Sequence, residues 1–244
     1  MIATVTDAWR TVVPPAGDRH GPLAPLLLAL TVVTGLVDAF SYLVLGHVFV
    51  ANMTGNVVFM AFALVGAKGF SIWASLAALG AFALGAMTSG RIVTHLGARR
   101  GPMLAYTAAF EAVLLAASMV VAWLASTPGS GPPRYVLIVL LGLGAGTQNG
   151  TARKLAVPDL TTTVLTMTIT GAAFDSRLGG GTGGRLGRRG LSAVAMFLGA
   201  LVGAVAALRV SKPLGLLFAL AVLVPVAVAA ARLSRTRPAW DQPV

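Results

Sequence analysis

The chain of 244 residues contains no cysteine. That excludes a disulfide framework, a thiolate nucleophile and a Cys-ligated metal site, and it leaves the redox compartment undetermined. Charge is scarce as well: Asp, Glu, Lys and Arg together make up 10% of the sequence, against about 25% in an ordinary soluble domain. Acidic residues are the scarcer sign, 7 against 18 Lys and Arg, for a formal net charge of +11. In a soluble protein that balance would suggest nucleic acid. Here the basic residues sit mainly in short connectors between apolar blocks, as positive-inside bias arranges them, and no nucleic-acid partner is expected. Catalytic patterns are missing too: there is no G-x-S-x-G, no H-E-x-x-H and no Ser/His/Asp pattern. His20, His47 and His95 lack metal-ligand spacing. No enzymatic activity, metal or cofactor is expected.

Apolar sequence is what the chain has in abundance. Hydrophobic residues make up 57% of it, and they come in long blocks rather than in alternation. Residues 1–22, with Asp7, Arg10, Pro14, Pro15, Asp18 and Arg19, lack the apolar core and A-x-A site of a signal peptide and read as a short flexible tail. Eight apolar segments follow, at 23–45, 48–66, 70–90, 102–125, 135–152, 157–175, 191–208 and 213–231. Each has about the length that crosses a hydrocarbon core. The expected fold is therefore all-α, a polytopic membrane helix bundle of eight apolar segments and six to eight spans, with the lipid bilayer as its partner. A C-terminal tail, 233–244, closes it.

Shifting the sequence against itself by about 111 residues aligns its halves, 23–125 and 135–232, across a linker at 126–134. Gly35-x-x-Asp38-Ala39 meets Gly146-x-x-Asn149-Gly150, Thr54-Gly55-Asn56 meets Thr166-Met167-Thr168, and Pro102 meets Pro213. This predicts a two-fold internal repeat. Small residues every fourth position, such as Ala77, Ala81, Gly85 and Ser89, or Gly142, Gly146 and Gly150, let helices approach closely. They fit packing inside the bundle, with a homo-oligomer interface as the alternative.

Topology has two solutions. Eight full spans leave eleven Lys and Arg inside and seven outside. If the second and sixth segments enter and leave by one face, the tally is twelve against four, with Arg153 and Lys154 beside the re-entrant segment. The first arrangement makes the halves parallel and the second makes them inverted. The apolar length of 57–66 favours the first, and the charge favours the second.

Polar groups at membrane depth are costly unless something satisfies them, so they mark packing or a site. Thr31, Thr34, Asp38, Ser41 and Tyr42 form one stripe on the first segment, and Asp38 is the natural proton or cation site or, alternatively, a carboxyl bonded to Tyr42 or Asn149. Asn52, Thr54 and Asn56 surround Gly55 in a cluster suited to a broken helix, whose free amides or carbonyls meet an ion. In the second half Pro158-Asp159 reads as a helix start, with Thr162, Thr166 and Thr170 on one face converging with Gln148 and Asn149. Glu111 has no polar counterpart, since Val222 stands in its place. The glycine-rich run Asp175–Gly190 lacks the Lys and Ser/Thr of a P-loop and reads as a flexible basic loop near anionic headgroups.

Through Gly35-Leu36-Val37-Asp38-Ala39-Phe40-Ser41-Tyr42, Phe49-Val50-Ala51-Asn52-Met53-Thr54-Gly55-Asn56, Gly146-Thr147-Gln148-Asn149 and Thr162-Thr163-Val164-Leu165-Thr166, the chain resembles the YoaK-like family of bacterial integral membrane proteins. The resemblance covers about 23–232 and implies an inner-membrane, multi-pass protein of six or seven spans. The family is a domain of unknown function, so it supplies no substrate. Thr166-Met167 departs from the Thr-Gly expected there. The expected function is a transporter or permease for a small solute or ion. Its site would be Asp38, Tyr42, Asn52, Thr54, Asn56, Gln148, Asn149, Thr162 and Thr166, with both termini cytoplasmic. The alternative is a non-transporting structural or sensory membrane protein acting through a partner.

Overall fold

A computed structural model describes residues 2–95, 99–163, 165–176, 178–181, 185–235 and 239–242. Among them are nine α-helices: α1 (Ile2–Val12), α2 (Leu23–Val44), α3 (Met53–Leu64), α4 (Ile72–His95), α5 (Arg100–Leu124), α6 (Gly131–Leu155), α7 (Leu165–Phe174), α8 (Leu186–Val205) and α9 (Leu214–Leu233). A π-helical turn, Ala206–Val210, prolongs α8, and a 3-10 turn, Ala239–Asp241, follows α9. Helices α2, α4, α5, α8 and α9 are long and apolar enough to cross a membrane. At 25 residues α6 is as long, but its second half carries Thr147, Gln148, Asn149 and Thr151.

Two of the eight expected segments are not full-length helices. In place of 48–66 and 157–175 stand α3, of 12 residues, and α7, of 10. Their rise is about 18 and 15 Å, too short for a core about 30 Å thick. The reasons are local. Residues 48–52 stay outside the helix because Asp38 of α2 captures the amides of Val50 and Ala51. Pro158-Asp159 starts no helix, because Ala156, Asp159 and Thr162 all hold positive φ, which interrupts a helix at each of them.

Each short helix belongs to an excursion that returns to where it began. Before α3, His47 Nδ1 donates to the carbonyl of Gly69, after it, at 3.0 Å. Around α7, Arg189 binds Asp159 through Nε at 2.9 Å and Asp175 through Nη1 at 2.7 Å. Both feet of that excursion therefore rest on one guanidinium.

Helix α2 is mostly buried, its polar stripe included. It packs along α8 and α9, α6 packs along α4 and α5, and α5 packs on α9; α3 rests on α4, and α7 on α8. Glycine makes the closest crossings. A Cβ at Gly35 would run into the Met196 carbonyl and Ala200 amide of α8, and one at Gly146 into the Phe82 carbonyl and Ala86 amide of α4. The four-residue stripe through Gly142, Gly146 and Gly150 is thus used inside the bundle.

The bundle has two chemically different ends. At one, Arg100 donates to the carbonyls of Arg19 and Leu155, closing the end of α6. Arg99 pairs there with Asp241, whose Oδ1 accepts the Gly101 amide at 2.6 Å and so caps α5. Residues 239–241 of the expected C-terminal tail are therefore docked. The expected N-terminal tail is likewise corrected: 2–12 form α1, which packs on α8 where Gly187 admits it, and Asp7 accepts the Arg188 amide at 2.9 Å. His20 is held there with its pKa below the ordinary value, first by burial and then by Arg100. At the opposite end Arg134 donates to the Gly46 carbonyl at 3.1 Å. Among the described residues, Lys68, Arg134, Arg209 and Lys212 lie toward this second end, and every other Lys and Arg lies toward the first. Arg177 and residues 182–184 of the glycine-rich loop lie outside the described residues, as do Val164, Arg237, Pro238 and Pro243.

Candidate functional site

The polar face of α2 comes first in the chain. Thr31 and Thr34 return their hydroxyls to the carbonyls of Leu27 and Leu30, and Ser41 to that of Asp38, which satisfies them within the helix. The Asp38 side chain is buried, 3% exposed. Its Oδ1 accepts the amides of Val50 at 3.0 Å and Ala51 at 2.9 Å, and its Oδ2 accepts from Asn52 Nδ2. The partners expected for it, Tyr42 and Asn149, are not the ones it has. Three donors hold the carboxyl in place and fix the start of α3.

Asn56 completes this anchor. It is fully buried, accepts the Phe49 amide at 2.9 Å and donates to the Phe49 carbonyl at 2.6 Å. Tyr42 stacks on Phe49 and meets His47 edge-on, with ring centroids 5.1 and 5.0 Å apart. Phe59, Phe62 and Phe70 extend the cluster, which fills the space between α3 and the end of the bundle that bears Lys68.

The second excursion is tied differently. Asn149 Nδ2 donates to its own Ala145 carbonyl at 2.9 Å, and its Oδ1 accepts from the Thr163 hydroxyl. Thr162 is not on α7. It lies before that helix at φ +64° with its side chain buried beside Gln148. Thr166 and Thr170 are on α7 and exposed.

A cavity of about 580 Å³ lies where the two short helices begin. Asn52, Met53 and Thr54 line it from the start of α3, and Thr161, Thr163 and Thr166 from the start of α7; Phe82 and Ala86 of α4 and Asn149, Gly150, Ala152 and Arg153 of α6 form its walls. Of the expected site residues, Asn52, Thr54, Asn149 and Thr166 reach it, whereas Asp38, Tyr42, Asn56, Gln148 and Thr162 stand behind its lining. Among the described residues the lining holds no Asp or Glu, and Arg153, exposed at the Arg-rich end, is its one cation. The first-turn amides of a helix have no intrahelical acceptors, so the start of α3 adds partial positive charge. Sequence reasoning passed over Thr161, Thr163 and Arg153 as site residues. Thr163 was within reach, since it follows Asn52 by the 111 residues that separate Asn149 from Asp38.

The family described as "Protein of unknown function (DUF1275)" matches residues 26–230, and the chain belongs to that family. It is 36% identical over 145 residues to the UPF0700 transmembrane protein YoaK of Bacillus subtilis (strain 168), a match covering 59% of this chain and 63% of that relative. The matched part thus spans less than two thirds of the relative's length. No solved structure matches the chain.

Proposed function

We propose that this member of the DUF1275 family is a multi-pass permease of the bacterial inner membrane. Its cargo is a small anion or neutral polar solute, passing through the cavity where α3 and α7 begin. The observation that carries this reading is the convergence of two helix starts, six threonine and asparagine side chains and Arg153 on one space that, among the described residues, has no carboxylate in its lining. Helix N-termini and hydroxyl donors suit anionic or polar groups, and a cation would find no counter-charge there.

The halves act as an inverted repeat of three long helices and one re-entrant hairpin each. Several pairings support it. Gly35 of α2 meets α8 as Gly146 of α6 meets α4, and Gly199 meets the Val32 carbonyl as Gly85 meets that of Leu143. Asp38 holds Asn52 as Asn149 holds Thr163, and α3 lies on α4 as α7 lies on α8. Six spans then place the Arg-rich end and both termini in the cytoplasm by the positive-inside rule. The cavity opens past Arg153 toward that side, and the aromatic cluster around Tyr42 and Phe59 closes the other.

Proteoliposomes should be assayed with a panel of small inorganic and carboxylate anions and neutral polyols. Arg153→Gln is expected to cut anion flux about tenfold while sparing neutral cargo, the cost of one charge-assisted contact. If no solute moves in any assay, the permease reading falls. Single cysteines at Lys68, Arg91 and Arg235, possible in this Cys-free chain, test the topology. Re-entry puts Arg91 and Arg235 on one side with Lys68 opposite, and eight spans put Lys68 with Arg235.

A further inference from the structure

Helix α1 takes no part in the cavity, and it docks with its polar edge, not its apolar one, against the protein. A Cβ at Gly187 of α8 would meet the Thr4 carbonyl, the Ala8 amide and Asp7 Oδ2. Asp7 accepts the Arg188 amide at 2.9 Å, and the buried Thr11 hydroxyl accepts from Arg188 Nε at 3.3 Å. Two turns of α1 thus meet one turn of α8. Val5, Trp9 and Val12, at i, i+4 and i+7, share the face turned away from α8, and they are 64%, 65% and 47% exposed. Val13, just past the helix, extends this stripe and is exposed as well. A helix that gives its polar edge to the protein leaves its apolar edge for another medium.

The level of α1 along the bundle says which medium that is. No charged residue stands between Arg189 of α8 and Arg209 of its π-helical continuation. The run 190–208 rises about 28 Å, close to the about 30 Å of a hydrocarbon core. Gly187 and Arg188, where α1 docks, therefore fall just outside that core, at headgroup level. Trp9 marks this end as Trp73 and Trp123, both exposed, mark the other, where Trp73 opens α4 and Trp123 closes α5. Tryptophan favours such interfaces because one end of its ring system is apolar and the other polar.

Charge selects the kind of lipid. Arg10 is exposed on the flank of the apolar stripe, and Arg185 and Arg188 stand at the first turn of α8 beside it. Asp7, the one acid of α1, is engaged by the Arg188 amide. A second copy of the chain fits this face poorly. Four side chains fall short of the about 1,000 Å² that a stable protein interface buries, and pairing two such faces would bring like charges together.

We propose that α1 is an interfacial helix bound to anionic phospholipid in the leaflet at the Arg-rich end. Val5, Trp9 and Val12 sit among the upper acyl chains, and Arg10 sits among the headgroup phosphates. Protein and bilayer then hold opposite edges of one helix. The proposal needs the Arg-rich end at a membrane surface, and it does not need the protein to transport anything.

The test uses the full chain in liposomes of equal parts phosphatidylglycerol and phosphatidylcholine, one of the two brominated on its acyl chains near the headgroup. Bromine quenches tryptophan fluorescence on contact. The difference between wild type and Trp9→Phe isolates the share of Trp9 from those of Trp73, Trp123 and Trp240. Trp9 is expected to be quenched by both lipids, and about fivefold more by the brominated phosphatidylglycerol, as one cation near an anionic surface produces. Arg10→Gln should lower that preference about twofold or more. Trp9 that neither lipid quenches overturns the proposal, and so does equal quenching by the two. Quenching that appears only when the protein is diluted tenfold in lipid would show a second copy covering the face, which also overturns it. If Trp9→Phe disturbs the docking of α1, nitroxides on Val5→Cys and Val12→Cys decide instead. Oxygen should then reach them about threefold more readily than a water-soluble nickel chelate does, and the reverse order sinks the idea.

Discussion

The two excursions of this fold are held by opposite strategies. The one around α3 is pinned at its tip: Asp38 accepts three hydrogen bonds from residues 50–52, and Asn56 closes back on Phe49. At its feet His47 bonds the Gly69 carbonyl and lies against the Phe70 ring. The one around α7 reverses this. Its tip has a hydroxyl bond, Thr163 to Asn149, whereas its feet share Arg189 through Asp159 and Asp175, with Arg185 also 3.6 Å from Asp159. A carboxylate with three buried donors holds far more firmly than one neutral pair. The comparison teaches that the first hairpin is anchored chiefly at its tip, by a buried carboxyl, and the second chiefly at its feet, by a shared guanidinium.

Removing the tip contacts should therefore give the largest effect and the clearest asymmetry. Asp38→Ala leaves the amides of Val50 and Ala51 and the Asn52 side chain without acceptors, and is expected to destabilise the protein by about 4 kcal/mol. Asp38→Asn, which keeps an accepting oxygen, should cost about 2 kcal/mol. Asn149→Ala should cost only about 1 kcal/mol. Equilibrium unfolding in detergent micelles measures all three, and equal costs for Asp38→Ala and Asn149→Ala would erase the contrast between the tips.

The feet should rank the other way. Arg189→Gln breaks both ion pairs, but the Asp175 side chain is 45% exposed, so its share is screened and the whole change should cost about 1.5 kcal/mol. Hydrogen exchange in α7 should then quicken about tenfold, as expected when a local unit loses that much. His47→Ala removes one exposed bond and should leave exchange in α3 within about twofold of wild type. Exchange that quickens in both helices alike would mean that the feet are equivalent.

Much of this was legible in the sequence, and the parts that were not share one cause. The long helices announce themselves because apolar runs of spanning length have few other uses. Asp38, Asn52, Asn56 and Gln148 stand out because polar atoms at that depth need partners. Who those partners are is a tertiary fact. Asp38 looked along its own helix to Tyr42, or across to Asn149, whereas its acceptor oxygens serve amides 12 and 13 residues ahead. The run 57–66 is as apolar as a span, so composition could not say that its helix would be only 12 residues long. Asp159 resembled a helix cap, and Arg189, 30 residues later, claims it instead.

The smallest effect separates backbone from side chain at the head of α7. Thr162 sits at φ +64°, where a residue with a Cβ pays about 1–2 kcal/mol that glycine does not. Thr162→Ala keeps that cost and loses the hydroxyl bond, so it should destabilise by about 1 kcal/mol. Thr162→Gly loses the bond but relieves the backbone, and should be more stable than Thr162→Ala by about 1 kcal/mol. Ala51, which holds the matching place before α3, has no positive φ. Ala51→Gly should accordingly act with the opposite sign, destabilising by about 1 kcal/mol through chain entropy and the loss of a buried methyl. Opposite signs at these two positions follow from the backbone alone, because only the residue before α7 is held at a positive φ that glycine adopts without strain.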